Sequence, residues 1–99
     1  MLIYHIVLQE RWKSLDPDEP YEAESLATDG FIHCSYASQL EKVLERYYSG
    51  VANVLILGID SERLTSPLVE EASTNDEIYP HIYGPINRDA IVGAEAQTL

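Results

Sequence analysis

Gly30-Phe31-Ile32-His33-Cys34-Ser35 decides how this chain is read: a short apolar run of strand character that sets one imidazole and one hydroxyl side by side and leads into a helical pattern. Two other stretches echo it, Ile3-Tyr4-His5-Ile6-Val7 and Ile78-Tyr79-Pro80-His81-Ile82-Tyr83-Gly84-Pro85. All three histidines of the 99-residue chain therefore lie in aromatic, apolar, strand-like surroundings.

Downstream of that run, Tyr36, Leu40, Val43, Leu44 and Tyr47 recur at helical spacing, with Glu41, Lys42, Glu45 and Arg46 on the other face. Ser35 or Ser38 is placed to cap this helix, and Gly50 to end it. Upstream, Thr28-Asp29-Gly30 reads as a turn, Tyr21 to Leu26 as a brief strand, and Asp16-Pro17-Asp18-Glu19-Pro20 as a solvated loop closing a short helix over Gln9 to Leu15. Residues 2 to 8 read as an opening strand. Val54-Leu55-Ile56-Leu57-Gly58-Ile59 is almost unbroken apolar sequence, as expected of a central strand covered on both faces. Asp60 to Leu64 predicts a helical turn and Ser73 to Glu77 a mobile loop; Pro67 to Ala72, Ile78 to Tyr83 and Asp89 to Glu95 predict three further strands. Strands outnumber helices, and the one strong helix falls between strands. The fold class is α+β, a curved, mostly antiparallel sheet with one main helix and one or two short ones.

The length allows one domain, residues 1–99, with one modest core. A formal net charge of -11 disfavours a broad nucleic-acid footprint, leaving room only for a small local anion site. The one cysteine, Cys34, forms no internal disulfide, which fits a reducing cytosol. The start of the sequence shows no signal-peptide pattern, and no apolar run approaches the roughly 20 residues of a membrane span. A cytoplasmic protein without membrane or nucleic-acid partners is expected.

Imidazole changes charge near neutral pH and can donate, accept or bind a metal. Side chains alternate along a strand, so Tyr4 and Ile6 face away from His5, Ile32 and Cys34 from His33, and Ile82 from His81. If these strands are neighbours, the three rings can converge in one cleft. A lone histidine is ordinarily a partly buried ring bonded to backbone or carboxylate; three in like surroundings argue for more. Three imidazoles can hold a catalytic zinc, but no pair has close His-x-His or His-x-x-x-His spacing, so a metal-dependent enzyme is the alternative and no metal is expected. Cys34 cannot use the His33 ring as its base from the opposite face and reads as a small buried residue. Ser35 shares the His33 face and can bind a ligand oxygen as readily as cap the helix. No glycine-rich phosphate loop is present.

Tyr4-His5-Ile6, Trp12, Ser25-Leu26, the Gly30 to Ser35 run, Tyr47-Tyr48-Ser49-Gly50, Ile59-Asp60 to Leu64 and Pro80-His81-Ile82-Tyr83-Gly84-Pro85 together resemble the small bacterial proteins grouped as domain of unknown function 952. The resemblance spans nearly the whole chain and carries no established activity. It implies a fold similar to that of ADP-ribosyltransferases, a split α+β sheet that grips NAD in a central cleft. By position, His5 would hold ribose hydroxyls, His33 would flank nicotinamide or ribose, and His81 would stand where that superfamily often has a glutamate. A neutral histidine there can bond a ribose hydroxyl but cannot stabilise positive charge at the sugar. RNA 2'-phosphotransferases work on NAD without the glutamate but use basic residues for RNA; here Arg11, Lys13, Arg46, Arg63 and Arg88 are scattered. The resemblance thus implies a small nucleotide ligand, NAD or an ADP-ribose derivative, with His33 and His81 as catalytic candidates and His5, His33, Ser35 and Tyr83 as binding residues. A non-catalytic binding module is the remaining alternative.

Overall fold

The computed structural model describes residues 1–98, leaving the side chains of Thr74 and Thr98 aside. Two three-stranded sheets make the framework. The first has the order β1-β3-β6, from β1 (Leu2–Leu8), β3 (Asn53–Asp60) and β6 (Ile91–Thr98); the second has the order β2-β5-β4, from β2 (Ile32–His33), β5 (Ile78–Ile82) and β4 (Leu68–Ala72). Every pairing is antiparallel. Among the described residues three α-helices complete it: α1 (Gln9–Ser14), α2 (Glu24–Asp29) and the longest, α3 (Leu40–Tyr47). None is long and apolar enough to cross a membrane.

The apolar run predicted to be a covered central strand is β3, between β1 and β6. Alternation sends its two sets of side chains into two cores. Leu57 and Ile59 join Ile3, Val7, Tyr21, Ile32, Ile82 and Ile86 in the larger one. Val54 joins Ile6 and Leu44 in the smaller one, with Leu40, Val43 and Ile56 packed against it, so the apolar stripe of α3 covers that face.

The two sheets meet where β2 ends. His33 stands directly opposite His81, and Ile32 opposite Ile82. Cys34 N–H still donates to Pro80 O at 3.1 Å. Proline has no N–H to return, so the ladder stops there, which is why the expected strand over 31–34 is regular for two residues only. Ser35 turns to β1 instead: Tyr4 N–H donates to Ser35 O at 2.8 Å and Ser35 N–H to Tyr4 O at 2.7 Å. The chain leaving β2, an edge strand of one sheet, is thereby stitched to β1, an edge strand of the other.

Three local expectations are corrected. Tyr21 to Leu26 is not a strand: Tyr21 makes one antiparallel bridge with Ile86, and Glu24–Asp29 then forms α2. Glu-Ser-Leu-Ala-Thr-Asp has no β-branched pattern of strand length, and Gly30, at φ +85°, supplies the left-handed residue that ends the helix. Neither Ser35 nor Ser38 caps α3; a single tight turn over Ala37–Gln39 precedes it, closed by Gln39 Oε1, which accepts from Tyr36 N–H at 3.0 Å. The stretch from Ser73 to Glu77 is a tied hairpin turn between β4 and β5. Ser73 N–H donates to Glu77 O, and the Glu77 carboxylate is held by Gln39 and Lys42. The acidic loop is likewise fastened: Arg88 donates to the carbonyls of Glu19 and Asp16 while its guanidinium lies over Trp12.

Candidate functional site

The gap between the sheets is a cleft of about 570 Å³, within the usual range for small-molecule sites. One wall is β1 from His5 to Leu8; the others are Tyr21 with Ala23 to Ser25, His33 to Ser35, the end of α3 with Tyr47 and Tyr48, and Ser73 with Tyr79. The lining is largely apolar and aromatic. Its ordinarily charged side chains are Arg11 and Glu24, which face each other at 3.5 Å.

His5 is 7% exposed and fully engaged by the protein. Its Nδ1 lies 2.7 Å from His33 O and its Nε2 lies 2.7 Å from the Tyr21 hydroxyl. A carbonyl only accepts, so Nδ1 carries the proton, and Nε2 of the neutral ring then accepts a hydrogen bond from the Tyr21 hydroxyl. Burial drives the His5 pKa down from 6.5 to about 4, keeping the ring neutral. The same burial raises the pKa of Tyr21, so its hydroxyl stays a donor.

That bond follows from the pairing. Ile32 and Cys34 direct their backbone groups at β5, so His33 directs its own away, toward β1, where His5 is waiting. The His33 side chain is half exposed and its Nε2 lies 2.9 Å from Asp29 Oδ2 at the end of α2. Ser35 is buried beside it. Cys34 faces the core, and burial raises its thiol pKa, so it is the inert small residue expected.

The structure brings His5, His33 and Ser35 to the cleft, but not His81 or Tyr83. His81 is 2% exposed and stacks on Phe31 with ring centres 4.1 Å apart. Its Nδ1 lies 2.8 Å from Glu71 Oε1, which also accepts from the Tyr83 hydroxyl. Those bonds, the one from Tyr83 foremost, lower the pKa of Glu71. The rings of His33 and His81 meet edge to face at 5.4 Å. The expected convergence of three imidazoles is therefore corrected to a pair, with His5 behind the backbone of one member. A three-histidine metal centre fails on the same ground: both nitrogens of His5 are taken, and among the described residues no group of three or more His, Cys, Asp or Glu is arranged to hold a metal ion.

Sequence reasoning missed Arg11, Asp29 and Tyr79. Among the described residues, Arg11 Nε, the Tyr79 hydroxyl and His81 Nε2 are buried without a protein partner; the first two belong to residues lining the cleft. The alternation of β5 could have flagged Tyr79, two residues from His81 and on the same face.

No curated protein matches the chain. Solved structures do: the crystal structure of protein CC0527 from Caulobacter crescentus, 28% identical, superimposes with a TM-score of 0.88 over 100% of this chain and 88% of that one. A crystal structure of a double mutant of CC0527 is 27% identical, with a TM-score of 0.88 over the same shares, 100% and 88%. The solution NMR structure of CC0527 is 28% identical, with a TM-score of 0.83 over 99% and 85%. Residues 6–94 match the family described as protein of unknown function DUF952. With that match spanning most of its length, the chain belongs to the DUF952 family.

Proposed function

We propose that the cleft between the sheets binds a nucleotide of the NAD or ADP-ribose type, and that the two sheets correspond to the split sheet of an ADP-ribosyltransferase-like fold. The observation carrying this reading is the cleft lining, in which Tyr47, Tyr48 and Tyr79 offer aromatic surface for a base while Arg11 Nε and the Tyr79 hydroxyl have no protein partner. A buried polar group without a partner costs about 1–3 kcal/mol, and a ligand carbonyl, hydroxyl or phosphate oxygen would relieve that cost. On this reading His5 acts indirectly, fixing the backbone of His33. Ser35 offers a hydroxyl, and His33, steadied by Asp29, is the group set for proton transfer. His81 and Tyr83 support the strand behind His33.

Calorimetric titration with NAD and with ADP-ribose tests this, using the wild-type chain and Tyr79→Phe. The expected result is one site per chain, weakened about tenfold in Tyr79→Phe, which loses a hydroxyl that has no partner among the described residues. No heat at millimolar ligand, or equal affinity in both proteins, contradicts the reading.

A further inference from the structure

Resting on the nucleotide reading above, we propose that Arg11 selects the ligand of the cleft by charge. It exchanges the Glu24 carboxylate for the diphosphate of a nucleotide, so that phosphate-bearing ligands are held far more tightly than nucleosides.

The chain carries 17 acidic side chains against 6 lysines and arginines. A molecule of that sign repels a diphosphate unless a local cation outweighs the field. Among the described residues Arg11 is the one lysine or arginine lining the cleft. An uncharged nucleoside feels neither the repulsion nor the attraction.

The guanidinium is only partly engaged by the protein. α1 follows β1 without a break, which brings Arg11 to the cleft wall beside the start of α2. Its Nη2 donates to the Glu22 carbonyl at 3.0 Å, a bond that holds the group in place, and its Nη1 stands 3.5 Å from Glu24 Oε1. Its Nε is buried without a protein partner. A purely structural arginine would need the Glu22 bond alone and would leave the desolvation of Nε uncompensated. A guanidinium presents five donors in a rigid fork, and phosphate oxygens match that fork. The side chain is 32% exposed, so part of the fork is open to a ligand.

Glu24 has the properties of a displaceable carboxylate. Its side chain is 77% exposed. Its 3.5 Å separation from Arg11 exceeds the roughly 2.7–2.9 Å of a charge-assisted hydrogen bond. An exposed pair of this kind contributes little to the fold, so its release costs little. A diphosphate brings two charges to the same cation and sends the carboxylate into solvent. Left in place, Glu24 would repel the incoming group.

The test is calorimetric titration of wild type, Arg11→Gln and Glu24→Gln with ADP-ribose and with adenosine, beside NMR of the arginine side-chain N–H signals. ADP-ribose is expected to bind Arg11→Gln about 10–100-fold more weakly than wild type. It is expected to bind Glu24→Gln about 3–5-fold more tightly. Adenosine should bind all three proteins equally, and the Arg11 Nε–H signal should shift with ADP-ribose but not with adenosine. Equal ADP-ribose affinity in wild type and Arg11→Gln, or no gain in Glu24→Gln, overturns the role of Arg11 and leaves the nucleotide reading standing. Adenosine weakened in Arg11→Gln as much as ADP-ribose overturns it too, because the arginine then only props the cleft. No binding of either ligand to any of the three proteins overturns both.

Discussion

Both ring nitrogens of His5 are engaged inside the protein, one by the His33 carbonyl and the other by the Tyr21 hydroxyl. Replacing the ring by phenylalanine strands both partners in a buried site. His5→Phe is therefore expected to cost about 2–4 kcal/mol in chemical denaturation, and Tyr21→Phe, which strands only a nitrogen lone pair, about 1–2 kcal/mol. The same burial makes stability depend on pH. The His5 pKa falls from 6.5 in the unfolded chain to about 4 when folded, so acid favours the unfolded state. The contribution is complete above pH 6.5 and is lost as pH falls toward 4, amounting to roughly 3 kcal/mol across that window. Denaturation midpoints measured between pH 7 and 4 should fall in wild type and fall less in His5→Phe; equal slopes would place the titration elsewhere. From the sequence, the strand position of His5 and the side it faces were legible. Its engagement was not, because Tyr21 is 16 residues away and reaches the ring only through its bridge to Ile86.

Elements that announce themselves by a run of like residues are legible in the sequence, and those set by one partner are not. β3 was legible because Val54 to Ile59 can be satisfied only by two covered faces, and the structure supplies a core on each. α2 is hidden in the sequence because Tyr21 itself is extended and the helix begins three residues later. The length of β2 depends on Pro80, a residue on another strand, whose missing N–H no local pattern around Phe31 could announce. Two links between elements invite substitution. At Gly84, φ is +152° and a Cβ would lie 2.5 Å from Ser66 Oγ, itself bonded to Pro85 O. Gly84→Ala should lower stability by about 1–3 kcal/mol in thermal or denaturant unfolding; an unchanged midpoint would show that the turn relaxes freely. Arg88→Ala frees the loop around Asp16 and Glu19 and uncovers Trp12, so amide exchange there should quicken while β3 keeps its protection.

The molecule as a whole is two antiparallel sheets joined by the Tyr4–Ser35 bridge, with the cleft beside that join. Like strand surroundings pointed to three imidazoles in one cleft; the structure instead brings His33 and His81 ring to ring across β2 and β5, with His81 outside the cleft. The place where they gather was not legible, because alternation fixes a face only relative to its own strand, and here β1 adds to β2 through its edge rather than side by side along its length. His5 and His33 consequently reach the cleft while His81 stands behind it against Phe31. The most direct check of the nucleotide reading is an NMR titration of the isotopically labelled chain with NAD, up to millimolar concentration. Saturable shifts at His33, Ser35, Tyr48 and Tyr79, with β6 unmoved, are the predicted result. Spectra that do not change, or shifts confined to residues away from the cleft, would contradict it.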